Sequence, residues 1–93
     1  MKYKIDVVRI RENSIQLNGW VIGKTPESKA EFEVLDQNKK PLEIKCVATR
    51  RDDVSQIYYK QVYDRDYGFD IQFPYERGAD YWLGIHCDGK TAR

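Results

Sequence analysis

The sequence has little of what most enzymes and membrane proteins require. It contains one histidine, two cysteines, three prolines and one methionine in 93 residues. No apolar run approaches the roughly 20 residues that span a bilayer. The N-terminal residues also lack the apolar stretch of about 7–15 residues that marks a secretory signal. These absences predict a cytoplasmic domain with no membrane insertion.

Net charge is nearly absent as well, because 16 Lys and Arg residues face 15 Asp and Glu residues. Binding to nucleic acid depends on neutralising phosphates and needs a concentrated basic surface. The charge balance therefore argues against a nucleic-acid partner. The length fits one domain with one core and no deep internal cleft. A binding module is a better expectation than an independent enzyme.

The inventory of catalytic and metal-binding residues is correspondingly poor. His86, the single histidine, lies in an alternating run beside Cys87, so the two side chains point to opposite faces of a strand. They cannot form a nucleophile–base pair, which needs direct contact. One histidine and two cysteines fall short of the four ligands of a zinc site, and Asp64, Asp66 and Asp70 lack the spacing of an EF-hand loop. We expect no catalytic residue, no metal and no cofactor.

Apolar residues recur at every second position along most of the chain, which predicts β-strands. The predicted strands are 5–10, 15–22, 30–34, 42–48, 69–73 and 81–87. In the first strand Ile5 and Val7 share one face, whereas Val8 and Ile10 share the other. The polar stretch 36–41 is predicted to join the third and fourth strands as a hairpin.

The period changes after residue 49. Asp52 and Asp53 are good helix N-caps, and Val54, Ile57 and Tyr58 then recur at intervals of three and four residues. This spacing predicts one short helix with those three residues on its apolar side. We expect the helix to carry the crossover between two sheets.

About six short strands with one helical crossover predict an all-β fold, an immunoglobulin-like antiparallel β-sandwich. An OB-like barrel is the alternative, because it also combines about five strands with a short helix. Residues 1–89 are predicted to form one module, with 90–93 as a polar tail or linker remnant. The residues expected in the core are Phe32, Val34, Leu42, Ile44, Phe69, Ile71, Leu83 and Ile85.

The two cysteines have the inward parity of their strands. Immunoglobulin domains place an inter-sheet disulfide across such a core, but thiols of cytosolic proteins stay reduced. We therefore expect Cys46 and Cys87 to be buried free thiols that pack as small apolar side chains.

Aromatic residues, 13% of the chain, are the one surplus. Tyr59, Tyr63, Tyr67 and Trp82 are candidate carbohydrate-binding residues, because exposed rings can stack on apolar ligand faces. The alternative is that these rings pack the sandwich and its crossover, as their high β-propensity favours. Exposure of the four rings would distinguish the two hypotheses.

Three short motifs occur in a suggestive order: Gly19-Trp20-Val21-Ile22, then Arg51-Asp52-Asp53-Val54, then Gly68-Phe69-Asp70-Ile71-Gln72-Phe73. This order resembles the small β-sandwich module found beside glycosyltransferase catalytic domains in bacteria, notably the N-terminal module of Firmicute family 2 glycosyltransferases. The resemblance extends roughly over residues 5–87. It implies a non-catalytic accessory domain of an enzyme of cell-surface polysaccharide synthesis. Such a module would dock against the catalytic domain, a partner subunit or the growing glycan.

The motifs also have a structural interpretation. Gly19 would let the indole of Trp20 lie across a close backbone approach, and Gly68 would permit a bend before the chain returns to the sheet. Arg51 could reach backbone carbonyls or Asp53, and Asp53 could cap the helix. The residues expected to determine the fold in this way are Gly19, Trp20, Arg51, Asp53, Val54, Gly68 and Phe69.

Overall fold

The computed structural model describes residues 1–92. The elements in chain order are β1 (Lys2–Ile10), β2 (Ser14–Ile22), β3 (Ala30–Leu35), β4 (Lys45–Thr49), α1 (Asp52–Tyr59), β5 (Gly68–Pro74), β6 (Trp82–Cys87) and β7 (Lys90–Ala92). They form a four-stranded sheet in the order β1-β2-β5-β4 and a three-stranded sheet in the order β3-β6-β7. All the pairings are antiparallel. The predicted all-β sandwich is confirmed.

The strand order is that of a constant-type immunoglobulin domain. That fold places its first, second, fifth and fourth strands on one sheet and its third, sixth and seventh on the other. A tyrosine corner supports the likeness, because Tyr81 stands just before β6 and its hydroxyl oxygen accepts a 2.9 Å hydrogen bond from the Glu76 backbone N–H. The structure therefore favours the immunoglobulin-like arrangement over the OB-like barrel.

The main core lies between the two sheets and follows the predicted alternation. Val34, Phe69, Ile71 and Ile85 are buried together in it. The other predicted core residues are partly buried against the same cluster, and they are Phe32, Leu42, Ile44 and Leu83. Ile71 is 0% exposed. At roughly 25 cal/mol per Å² of apolar surface removed from water, this contiguous cluster is the main source of stability.

A second, smaller core lies on the outer face of the four-stranded sheet, where α1 packs. Trp20, Ile22, Val54 and Tyr67 are buried in it. Since Val21 belongs to the main core, this end of β2 is buried on both faces. The helix joins β4 to β5, which are neighbours in one sheet. The expectation that it carries a crossover between sheets is therefore wrong.

The helix presents a different face from the predicted one. Val54 is buried as expected, but Ile57 is 59% exposed and Tyr58 37% exposed. Ser55 turns inward instead, and its hydroxyl donates to the Gln61 carbonyl at 2.6 Å. A small polar residue can be buried there because the bond satisfies its hydroxyl. No side chain caps the N-terminus of the helix, so the predicted Asp caps are not formed.

The stretch after β3 is a crossover and not a hairpin. Strand β3 pairs with β6, whereas β4 pairs with β5 in the opposite sheet. What remains of the predicted pairing among the described residues is an isolated bridge between Leu35 and Pro41, with backbone hydrogen bonds from Leu42 to Val34 and from Asp36 to Lys40. Residues 42–44 carry the chain from one sheet to the other, and Leu42 and Ile44 still pack against the core. Alternation alone fixes which residues point inward, but not which strand lies beside which.

Lys90–Ala92 forms β7 and pairs with β6. The expectation of a polar tail at 90–93 is therefore wrong for residues 90–92, and Arg93 lies outside the described residues. Asp88 and Gly89 both have positive φ, 53° and 76°, which is the geometry of a tight two-residue hairpin turn. The module continues through Ala92, whose side chain packs against the core.

Both cysteines are free, but only one is buried. Cys87 is 3% exposed in the main core. Cys46 faces the core side of its sheet opposite Ile71, yet it is exposed because β4 is an edge strand. The prediction of a buried thiol is confirmed for Cys87 and wrong for Cys46. Desolvation raises the pKa of both thiols, with a further contribution from Asp70 at Cys46 and from Asp88 at Cys87.

Candidate functional site

The three candidate tyrosines form one packed cluster beside α1. The ring centroids of Tyr59 and Tyr63 are 6.1 Å apart, and those of Tyr59 and Tyr67 are 5.5 Å apart. Tyr67 is buried, and the other two are half-buried. Rings that pack on one another leave little free face for stacking on a ligand. Their position indicates a packing role.

The hydroxyls of Tyr59 and Tyr67 form hydrogen bonds with backbone carbonyls of the protein itself. The Tyr59 hydroxyl lies 2.9 Å from the Gly23 carbonyl oxygen and 2.7 Å from that of Thr25. The Tyr67 hydroxyl donates to the Pro26 carbonyl at 2.8 Å. Burial raises the pKa of Tyr59 to about 12 and also raises that of Tyr67. The cluster therefore ties the β2–β3 loop to the helix.

Asp88 holds the same loop from the other side. Its carboxylate accepts hydrogen bonds from the Lys24 backbone N–H at 2.6 Å and from the Ser28 hydroxyl at 2.8 Å. These bonds, the Lys24 N–H first, lower the pKa of Asp88. The β6–β7 turn and the β2–β3 loop are therefore joined at one end of the sandwich.

Trp82 lies at the opposite end of β6 from this cluster. It pairs with Leu35 at the start of β6, whereas Cys87 at the end of that strand pairs with Ala30. The ammonium of Lys39 stands 4.8 Å from the centroid of the Trp82 ring, an arrangement typical of a cation–π contact. The structure does not bring Trp82 together with the tyrosines, so the four candidates form no single platform.

Arg51 is the centre of an ion-pair network that the sequence only partly predicts. Its guanidinium binds both carboxylate oxygens of Asp53 at 3.0 Å, as anticipated, and it also reaches Asp6 on β1 at 2.7 Å. These bonds raise the pKa of Arg51, and the bond from Arg51 lowers that of Asp53. The neighbouring Arg50 pairs instead with the exposed Asp52 and Asp64. Arg51 thus connects the start of α1 to the far edge of the sheet.

The structure supports the expected role of one motif glycine and corrects that of the other. A Cβ at Gly19 would clash with the backbone oxygen of Lys4 and would lie 2.8 Å from the tip of the Phe69 ring, so a close backbone approach does require glycine there. Gly68 makes no bend but pairs within β5, and a Cβ there would clash with Thr49 Oγ1 and would lie 2.7 Å from the Arg51 Cγ. Gly68 therefore leaves space for the side chains of Thr49 and Arg51 on the outer face of the sheet.

A β-bulge at Asp6 changes which residues of β1 face inward. Ile5 pairs with Gly19 and Val7 with Asn18, so Asp6 is the extra residue. Beyond the bulge, Val8 and Ile10 lie on the core-facing side of the sheet, the same side as Ile5. The prediction that Val8 and Ile10 lie on the opposite face from Ile5 is therefore wrong. A bulge re-aims the side chains that follow it in this way. The ion pair with Arg51 holds the bulged residue.

An apolar groove of about 240 Å³ lies beside the part of β1 that precedes the bulge, at the open side of the sandwich. We call it the β1–β7 groove, and it is lined by Tyr3, Ile5, Tyr81, Trp82, Leu83, Ile85 and Ala92. Val8 and Ile10 do not line the groove but lie further along the same face of β1, and they are 57% and 63% exposed. These side chains pair across β1–β2 with Leu17 and Ile15, which pack against the core. They are core-type residues that the three-stranded sheet does not cover.

Sequence reasoning missed this groove, although a signal was present. Tyr3 and Ile5 alternate in one phase, and Val8 and Ile10 alternate in the other, with the polar Asp6 between them. Two apolar phases interrupted by one polar residue are typical of a bulge within an edge strand. The shift of phase predicts that all four residues share a face.

A larger groove of about 390 Å³ opens on the other side of the sandwich, between the edge strands β3 and β4. Phe32, Cys46, Ala48 and Tyr67 line it, together with Lys29, Arg65 and Asp66. Its lining mixes apolar and charged groups of both signs. It therefore lacks the uniform apolar character of the β1–β7 groove.

His86 lies in a polar cluster on the outer face of the three-stranded sheet. Its Nε2 is 3.0 Å from Glu33 Oε1, and its Nδ1 is 2.8 Å from Thr91 Oγ1. The group has the composition of a hydrolase triad, but its three members lie on neighbouring paired strands of one sheet. A hydrolase triad needs free N–H donors for the developing oxyanion. The cluster is better explained as a set of cross-strand contacts.

Within residues 1–92, no group of three or more His, Cys, Asp and Glu side chains could hold a metal ion. The same part of the chain forms no helix long and apolar enough to cross a membrane. Comparisons of the chain with protein-family models, curated proteins and solved structures found no match.

Proposed function

We propose that this domain is a non-catalytic accessory module that docks a partner protein through the β1–β7 groove. One observation carries the proposal: Tyr3, Val8 and Ile10, which are 46%, 57% and 63% exposed, lie on one face of one strand. A contiguous exposed apolar patch on a small domain commonly marks an interaction surface.

The resemblance of the three motifs supports a more specific context for the docking. In that context the partner is the catalytic domain of a family 2 glycosyltransferase that builds cell-surface polysaccharide, or a subunit associated with it. Docking would occur in the cytoplasm, where two free thiols are the ordinary state. The module would position the transferase and would take no part in the catalysed reaction.

Carbohydrate binding is the second candidate function, and Trp82 is the residue that favours it. Trp82 is the candidate ring that lines the β1–β7 groove, where Tyr3 and Tyr81 accompany it. Sugar recognition, however, combines stacking with several polar contacts to hydroxyls. The lining is dominated by apolar side chains, which fit a protein segment better than a glycan.

The docking proposal is tested by a charge substitution in the groove. The double variant Val8→Glu/Ile10→Glu places carboxylates on the exposed apolar face of β1 that continues from the groove, and Val47→Glu is the matched control, since Val47 is 49% exposed on another edge strand. We would titrate the ¹⁵N-labelled domain with the catalytic domain of a family 2 glycosyltransferase from the same genome. Shifts at β1 and β7 that the double variant abolishes and the control retains are expected.

Shifts that survive the double variant would contradict docking at this groove. The same spectra test the alternative function by titration with oligosaccharides. Saturable shifts of the Trp82 indole that disappear in Trp82→Ala would favour carbohydrate binding over docking.

A further inference from the structure

The larger of the two grooves, which we call the β3–β4 groove, has charged residues at one end. Its volume of about 390 Å³ lies within the roughly 300–1,000 Å³ that is typical of small-molecule sites. Lys29 lies directly before β3, and Arg65 and Asp66 lie just before β5. The Tyr67 hydroxyl donates to the Pro26 carbonyl at 2.8 Å and so joins these two segments. The charged residues that line the groove therefore stand together at one end of it.

The rest of the groove is apolar and stays open because the side chains of β4 are small. Cys46 and Ala48 face the core side of their sheet, since they pair with Ile71 and Phe69 of the main core. Both are nonetheless exposed, and Phe32 on β3, which also lines the groove, is only half-buried. A thiol and a methyl group fill less volume than the leucine or phenylalanine side chains of a close-packed core. A hollow with apolar walls therefore remains beside β4.

The charged end has an excess of positive charge that the protein itself does not neutralise. Lys29 and Arg65 contribute two cations against the single carboxylate of Asp66. None of these three side chains forms an ion pair or a hydrogen bond within residues 1–92, whereas Arg50 and Arg51 are each bound to two carboxylates. Unpaired cations beside an apolar wall favour an anionic ligand, and a guanidinium can hold a carboxylate with two parallel hydrogen bonds.

We propose that the β3–β4 groove binds a small amphipathic carboxylate, with its head group at Lys29 and Arg65 and its apolar part along Phe32, Cys46 and Ala48. The distance from residue 46 to residue 48 along β4 is about 7 Å, at roughly 3.3 Å per residue. This length suits an aliphatic chain of medium length or a single ring. The groove opens on the other side of the sandwich from the exposed face of β1, so the inference does not depend on the docking function.

The test uses three probes that share one aliphatic chain and differ in the head group: octanoate, octylamine and octanol. Each is titrated into the ¹⁵N-labelled domain at neutral pH. We expect octanoate to shift the amides of Phe32, Cys46 and Ala48 and to bind at least about tenfold more tightly than octylamine, because the excess positive charge opposes a cationic head group. Octanol should bind with an affinity between the two. Bound octanoate should also slow the reaction of the Cys46 thiol with N-ethylmaleimide, an uncharged reagent.

Two kinds of variant separate the apolar part of the site from the charged part. Ala48→Leu fills the hollow and should abolish octanoate binding, whereas Val47→Leu, the matched control, adds the same side chain on the opposite face of β4. Lys29→Gln and Arg65→Gln should each weaken octanoate binding about three- to fivefold, the effect of losing a partly exposed ion pair. Lys45→Gln is their control, because it removes the same charge from β4 outside the groove lining and should leave the affinity unchanged.

Equal affinity for octanoate and octylamine would overturn the inference, as would octanoate binding that Ala48→Leu leaves unchanged. Shifts centred on β1 would place the ligand in the other groove and would also overturn it. If Ala48→Leu does not fold, the charge variants decide, because an octanoate affinity equal to that of Lys45→Gln in both Lys29→Gln and Arg65→Gln would refute the assigned head-group position. Asp66→Asn should strengthen octanoate binding, and weaker binding in this variant would refute the argument from excess charge.

Discussion

Replacing Arg51 by Ala tests the connection between the helix start and the edge of the four-stranded sheet. The side chains of Arg51 and Asp6 are 29% and 28% exposed, so their pair is largely shielded from water. A hydrogen bond to a charged group contributes about 1.5–3 kcal/mol when buried, and an exposed ion pair about 0–1 kcal/mol. The intermediate exposure leads us to expect a loss of about 1–2 kcal/mol, part of which comes from the Arg51 stem that packs over Gly68.

The assay is thermal unfolding followed by circular dichroism. For a domain of this size the expected loss lowers Tm by about 4–16 °C. Arg50→Ala is the matched control, because Arg50 is also bound to two carboxylates, but both are exposed and neither lies on another strand of the sheet. We expect the control to leave Tm nearly unchanged. Arg51→Lys should restore only part of the stability, since an ammonium cannot bind Asp53 with two parallel bonds.

A double-mutant cycle with Asp6→Ala isolates the pair across the sheet. We expect a coupling energy of about 0.5–1.5 kcal/mol, together with faster amide exchange at Val7 when Arg51 is absent, because the bulge is then no longer held. Equal effects of Arg50→Ala and Arg51→Ala, or a coupling of zero, would refute the argument that Arg51 fixes the bulge.

Three further predictions concern the core, the thiols and pH. Phe69→Ala should cost about 3–5 kcal/mol, because the ring is 2% exposed and fills the space beside Gly19; an unchanged urea midpoint would contradict this. In the folded protein Cys46 should react with a thiol reagent and Cys87 should not, whereas equal rates would mean that Cys87 is accessible. The pKa of Asp88 is lowered in the folded protein, so the stability that Asp88 contributes should be present at neutral pH and lost as pH falls below the ordinary aspartate pKa of 3.8. The Tm of Asp88→Asn should therefore depend less on pH in this range than the Tm of the unchanged protein. If the two proteins show the same dependence of Tm on pH, the assignment is refuted.

The inward and outward faces of most strands could be predicted from the sequence. Val34, Phe69, Ile71 and Ile85 alternate with polar or small residues, and a side-chain period of two places such residues on one face wherever a sheet has a buried side. The Asp88-Gly89 turn was equally local, because positive φ at two successive positions is a property of those two residues. Local physics therefore sufficed for the class of fold.

The partners of each strand could not be predicted in the same way. The stretch 36–41 has the composition of a hairpin loop, yet β4 leaves β3 and joins the other sheet. Whether two strands pair depends on which apolar faces must be covered, and this involves residues far apart in the sequence. The short β7 illustrates the same limit, since its only apolar residue, Ala92, gives no periodic signal of its own.

The candidate site also has features that follow from the sequence and features that depend on the tertiary structure. The sequence by itself determined that the chain is a β-sandwich with an aromatic surplus, since these follow from period and composition. Only the tertiary structure decided that the tyrosines pack on one another beside the helix, that Arg51 reaches Asp6, and that the bulge turns Val8 and Ile10 to the core-facing side of β1, where they stay exposed. The exposure of a side chain depends on which other parts of the fold pack over it, and no local pattern in the sequence shows that the three-stranded sheet formed within residues 1–92 leaves this face of β1 uncovered.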